Sequence, residues 1–106
     1  MFIKNQSFKN EETLLEILFD FELGTPSAII DEKRQQIEED LKDNAAYNDY
    51  LASLTDEEEK MEVAVEERYI RLAELLMEDF ENFTVVQQKL YGIKDVERTL
   101  LYEINL

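Results

Sequence analysis

The side chains able to do chemistry in this sequence are carboxylates. Among 106 residues there are 26 Asp and Glu, 11 Lys and Arg, and no His or Cys. Imidazole and thiol chemistry, disulfides and zinc fingers are excluded on that count alone. Many of the acids recur at helical spacing. Glu12, Glu16 and Asp20 repeat every four residues with no cation among them. At about 1.5 Å rise per residue they would stand about 6 Å apart along a helix axis. Glu38, Glu39, Asp40 and Asp43 form a second group, Asp56, Glu57, Glu58, Glu59 and Glu62 a third, and Glu74, Glu78, Asp79 and Glu81 a fourth. Such patterns offer two chemistries. Carboxylates can hold a hard cation through oxygen, or they can take the place of the phosphates of a nucleic acid, whose duplex carries one charge per about 1.7 Å of axis.

The cation chemistry has one motif behind it. Glu58-Glu59-x-x-Glu62 matches the E-E-x-x-E element of the all-α nucleotide pyrophosphohydrolases of the MazG type, and in that element the chain resembles them. The resemblance implies a Mg²⁺-dependent enzyme holding its metal with carboxylates from two helices. The second element of that family, E-x-x-D, has no counterpart, since the nearest sequences are Glu78-x-x-Glu81 and Glu74-x-x-x-Glu78. The first element also overlaps Thr55-Asp56-Glu57-Glu58, a helix-capping sequence in which acids are expected for structural reasons. Calcium loops, glycine-rich phosphate loops and Glu-x-x-His pairs do not occur.

For the second chemistry, the charge distribution matters. The formal net charge is −15. Residues 1–10 contribute Lys4 and Lys9 and no acid, residues 82–106 contribute three acids and three bases, and residues 11–81 contribute 23 acids against six bases. Nucleic acid and anionic lipid repel such a chain, and a basic protein surface attracts it. In size, charge and helical character the chain resembles the small phage-encoded DNA mimics, including inhibitors of restriction enzymes and some anti-CRISPR proteins. That resemblance implies a non-catalytic inhibitor without a cofactor. The plainer reading is a solvated acidic surface, with part of the charge explained by capping at 56–59 and by the pairs Glu67–Arg71 and Glu38–Lys42.

The elements that must position these acids read as helices, because Gly24, Pro26 and Gly92 are the only strong breakers. Asn10 caps a first helix over about 11–23, with Leu14, Ile17, Leu18 and Phe21 on one face and Gly24 as a left-handed C′ residue. Thr25-Pro26 opens a second helix carrying Ile30, Ile37 and Leu41. The step of six residues from Leu41 to Tyr47 places a break at 42–44, with Asp43 or Asn44 capping a third helix that ends near Ser53. Tyr47 and Tyr50 are read as one core ring and one rim ring, or together as a recognition patch. A long helix spans about Asp56–Leu90 on the stripe Val65, Tyr69, Leu72, Leu76, Phe80, Phe83 and Val86, with a bend near 82–84. The stripe is the width of an intramolecular core rather than of a two-position dimer seam. Asp95–Ile104 reads as a short helix in preference to a strand at 99–106 paired with residues 1–8, and residues 1–9 as an arm or a short strand.

The expected fold is thus a single all-α domain of four or five helices over residues 1–106. The expected function is binding, without catalysis, to a basic, nucleic-acid-binding surface of a partner protein. Glu12, Glu16, Asp20, Glu38, Glu39, Asp40, Asp43, Glu57, Glu58, Glu59 and Glu62 would carry it. An assembly protein oligomerising through the long helix, including as a homodimer, is the second expectation, and the MazG-like hydrolase the third. The first residues lack the apolar stretch of a signal peptide, and no apolar run approaches the roughly 18–20 residues that span a bilayer, so a cytoplasmic location is expected.

Overall fold

The computed structural model describes residues 7–104 of the chain. Nine elements follow one another: β1 (Ser7–Phe8), α1 (Glu11–Asp20), β2 (Thr25–Pro26), α2 (Ala28–Lys42), α3 (Ala45–Ser53), α4 (Glu57–Asp79), β3 (Asn82–Val86), β4 (Lys89–Lys94) and β5 (Glu97–Glu103). The strands form one antiparallel sheet in the order β1-β3-β4-β5-β2. This is an α+β fold. The expected all-α helical bundle is wrong, and the error lies in the last quarter of the chain and at Thr25-Pro26.

The helical half follows the sequence closely. Asn10 caps α1 by accepting from the Thr13 N–H at 3.1 Å, and Leu14, Ile17, Leu18 and Phe21 are all buried. Asn44 caps α3 in the same way, accepting from Tyr47 N–H at 3.0 Å, directly after α2 ends at the expected break. Asp56, rather than Thr55, caps α4, accepting from Glu58 N–H at 2.9 Å. Thr25-Pro26 does not open α2. It pairs with Glu103 and Tyr102 of β5, and Ser27 occupies the N-cap position instead. Gly24 keeps a negative φ. Its lack of a side chain serves a close approach, because a Cβ there would meet the Glu103 carbonyl oxygen at 2.9 Å.

Past Asp79 the apolar stripe continues but the helix does not. Phe80 adopts extended angles (φ −126°, ψ 143°), and β3, β4 and β5 run on as two tight hairpins, closed by Gln87-Gln88 and Asp95-Val96. Thr84, Val85, Val86, Ile93 and Thr99 are β-branched and suit a pleated surface. The short helix expected at Asp95–Ile104 is therefore a turn and β5. The strand alternative at 99–106 placed residues 1–8 beside it, whereas Ser7 and Phe8 pair with Thr84 and Phe83 of β3; residues 1–6, 105 and 106 lie outside the described residues.

Both hairpin turns hold two consecutive residues in the left-handed region, with φ of 52° and 64° at Gln87 and Gln88 and of 51° and 63° at Asp95 and Val96. This is the primed-turn geometry that asparagine and glycine favour. At Val96 it is strained, because a β-branched side chain clashes with its own backbone there. Val96 is also 96 % exposed, so no packing offsets the strain. Val96→Gly is expected to raise stability by roughly 0.5–1 kcal/mol, measured as a shift of the urea midpoint at unchanged slope. An unshifted midpoint would show that the turn is unstrained.

The core lies between the helices and one face of the sheet. Leu14, Ile17, Leu18 and Phe21 of α1 and its cap meet Ile30, Ile37 and Leu41 of α2, Leu72, Ala73 and Leu76 of α4, and Phe83, Val85, Leu90, Leu101 and Tyr102 of the sheet. No helix among the described residues is long and apolar enough to cross a membrane.

Candidate functional site

The surface with the most distinctive chemistry is the seam where α2 crosses α4. Arg68 of α4 grips Glu38 of α2 with two parallel bonds, Nε to Oε2 at 2.5 Å and Nη2 to Oε1 at 3.0 Å. Lys33 near the start of α2 pairs with Asp79 at the end of α4. The two pairs fix the helices antiparallel. Arg68 is further held by the Ala64 carbonyl at 2.8 Å and the Tyr47 hydroxyl at 3.2 Å. The Arg68 hydrogen bonds hold the Glu38 carboxyl below its ordinary range, and Glu38 in turn raises the Arg68 guanidinium. Glu38 thus pairs with Arg68 and not, as the sequence spacing suggested, with Lys42. Glu67 and Arg71 do form their expected pair, at 2.7 Å.

A cleft opens on each side of the α2–α4 contact, and Ile37 lines both. One, of about 290 Å³, has an apolar floor of Ile37, Val65, Tyr69 and Leu72 between Arg34, Glu38 and Arg68. The other, of about 390 Å³, is acidic: Asp40 from α2 and Glu74 and Glu78 from α4 surround Arg71. The sequence carries Asp40 in one acidic group and Glu74 and Glu78 in another, and only the antiparallel crossing brings them together.

Arg34 forms the wall of the apolar cleft nearest the sheet. Its Nη2 donates to the Tyr102 hydroxyl at 2.5 Å, its guanidinium carbon lies 5.6 Å from the Tyr102 ring centre, and it has no carboxylate in ion-pair range among the described residues. Burial pushes the Tyr102 phenol up to about 12 against an ordinary value of 10.0, partly offset by Arg34. The unfolded chain therefore loses this proton first as pH rises. Stability contributed by the protonated phenol is present below pH 10 and is lost between pH 10 and 12, by about 2–3 kcal/mol. Tyr102→Phe removes that dependence. Its stability is expected to fall less steeply over this range than that of the parent in urea titrations, and parallel curves would refute the assignment.

The acids singled out in the sequence are distributed over three helices. Glu12, Glu16 and Asp20 are exposed along the outer side of α1; Glu38, Glu39, Asp40 and Asp43 lie at the end of α2; Glu57, Glu58, Glu59 and Glu62 are exposed on the first turns of α4. Only two of the eleven have a cation within ion-pair distance among the described residues: Glu38 with Arg68, and Glu57 with Lys60 at 3.8 Å. Among the described residues no three carboxylates are grouped so as to hold a metal ion, and Glu58, Glu59 and Glu62 are no exception. Tyr47 packs against the core and Tyr50 stays exposed.

Two features escaped the sequence reading. Arg34 gave no signal, because its meaning comes from Tyr102, 68 positions away. Val65 reads as core, yet it is 43 % exposed, and Met61, one turn earlier on the same face and outside the predicted stripe, is 69 % exposed. No family model matches the sequence, and no curated protein or solved structure is similar enough to count as a match.

Proposed function

We propose that this chain is a non-catalytic interaction protein whose helical layer docks on a basic, nucleic-acid-binding surface of a partner protein and competes there with nucleic acid. The observation that supports it is the uncompensated state of the acids. Nine of the eleven acids on α1, α2 and α4 named above have no cation in range among the described residues, although like charges one turn apart each cost a few tenths of a kcal/mol. The sheet layer, in contrast, belongs to a near-neutral stretch of sequence. A surface carrying repulsion on one layer and none on the other is oriented toward a cationic partner.

The reading is tested by salt. A partner retained from lysate on the immobilised protein at low ionic strength is purified and its affinity measured across a salt series. Binding through displaced phosphate contacts weakens steeply with salt, by about 10³-fold or more between 50 and 200 mM for six or more charges engaged. Affinity independent of salt contradicts the reading.

A further inference from the structure

We infer that the uncovered half of the α4 apolar stripe, together with the cleft it enters, is a groove that receives a basic amphipathic helix. The inference rests on the proposal above and names the structural element through which the basic partner docks. Met61, Val65, Tyr69, Leu72 and Leu76 follow at spacings of four, four, three and four on one face of α4. Leu72 and Leu76 are buried against the other helices and the sheet. Towards the N-terminus the same face continues past the end of the core. Met61 and Val65 are left open, and Phe19 of α1, 39 % exposed, packs at a tilt against Tyr69 with ring centres 4.5 Å apart. Of the seven large exposed hydrophobic residues, Val65 lines the cleft, Met61 lies one turn before it on α4, and Phe19 packs on the cleft-lining Tyr69.

A partner side must match this shape and charge. From Met61 to Leu72 the face is about 16 Å long, or three helical turns, which is the reach of an i, i+4, i+7, i+11 set of apolar anchors. The rim is acidic. Glu58 and Glu62 are neighbours of Met61 and Val65 on the α4 surface, and the Tyr69 phenol is raised first by burial and then by the nearby Glu22 carboxylate. Glu38 walls the cleft. Arg34 and Arg68 also line the cleft; Arg68 is paired with Glu38, and Arg34 keeps its charge at the wall nearest the sheet. A second copy of this chain would bring the same acidic rim and a net charge of −15 against itself, so a cationic helix is the occupant that the charge favours.

The test uses the full chain and three synthetic helical peptides of about 18 residues: one with a Leu face and a Lys face, a twin with Glu in place of Lys, and one in which Ser replaces Leu but all Lys are kept. Fluorescence anisotropy is expected to show binding of the Leu/Lys peptide, at least about tenfold weaker binding of the Ser/Lys peptide, and none of the Leu/Glu peptide. Met61→Ser/Val65→Ser should weaken the Leu/Lys peptide by about tenfold or more. Circular dichroism melts check its folding, and Met61→Ser alone serves if the double variant unfolds. Equal affinity of parent and variant, or of the Leu/Lys and Ser/Lys peptides, overturns the groove and leaves the electrostatic proposal standing. If neither cationic peptide binds, both fall. A dimer in sedimentation that the double variant disperses would assign the groove to a second copy and overturn the inference.

Discussion

Replacing Gly92 by alanine is expected to lower the stability of this protein by about 2–3 kcal/mol, with a fall in melting temperature of roughly 10–20 °C. Gly92 sits in the middle of β4, opposite Phe83 on one side and Thr99 on the other. The ring of Phe80 lies flat over it, so a Cβ would come within 2.6 Å of Phe80 Cγ and 2.7 Å of both Cδ atoms. Phe80 cannot easily yield. It is the residue at which α4 turns into β3, and its ring packs edge-on against Phe83 with centres 6.0 Å apart. Phe83 in turn stacks with Phe8 of β1 at 5.9 Å. The loss is large against the 5–15 kcal/mol that typically holds a domain together. A double-mutant cycle isolates the cause. In a Phe80→Ala background the same Gly92→Ala change should cost under about 1 kcal/mol, because the ring that it strikes is gone. Additive losses would show that Gly92 is needed for some other reason.

Gly92 also explains why the sheet was hard to see in the sequence. A glycine after an apolar stripe reads as the end of a helix, and Phe80, Phe83, Val86 and Leu90 keep helical spacing right up to it. The competing signals were present but weak. The β-branched run Thr84-Val85-Val86 favours a strand, and Phe83 and Val85 are spaced to share a sheet face. What was missing was turn chemistry. Neither Gln87-Gln88 nor Asp95-Val96 is a sequence that advertises a two-residue hairpin, although both adopt one. Where local signals agreed with the final structure, as at the Asn10 and Asn44 caps and the α1 core face, the sequence was sufficient. The crossing of α2 over α4 belongs to a different level. Nothing local connects Glu38 to Arg68, Asp40 to Glu74, or Arg34 to Tyr102, since each pair is joined only by tertiary packing.

The overhang of α4 shows the same limit from the other direction. A periodic stripe says which face of a helix is apolar and not how far along that face the rest of the protein reaches. The core ends near Leu72, and the stripe goes on for more than two further turns to Met61. The acids around it had been explained as capping, which is true of Asp56 and its bond to the Glu58 amide. Capping accounts for the first turn alone, and Glu62 lies beyond it.

The acidic face of α1 gives the second large effect, and here stability and binding should move in opposite directions. Glu12→Gln/Glu16→Gln/Asp20→Asn removes three charges that are exposed on one side of the helix and have no ion pair among the described residues. Asp20 is the last residue of α1, whose final turn has no basic residue to balance the helix dipole. Relief of two like-charge i, i+4 pairs and of the dipole conflict should raise stability by roughly 0.5–1 kcal/mol. If these acids replace phosphates on a basic partner, the same variant should bind the captured partner about 10–100-fold more weakly at low salt, mainly through a slower association rate. The gap between variant and parent should close as salt rises toward the molar range, where screening acts within about 3 Å. A purely solvated acidic surface makes a different prediction: the stability gain appears and the affinity does not change. Measuring both quantities on one variant therefore separates charge kept for a partner from charge that merely keeps the chain in solution, because both kinds cost the fold and only the first changes the affinity.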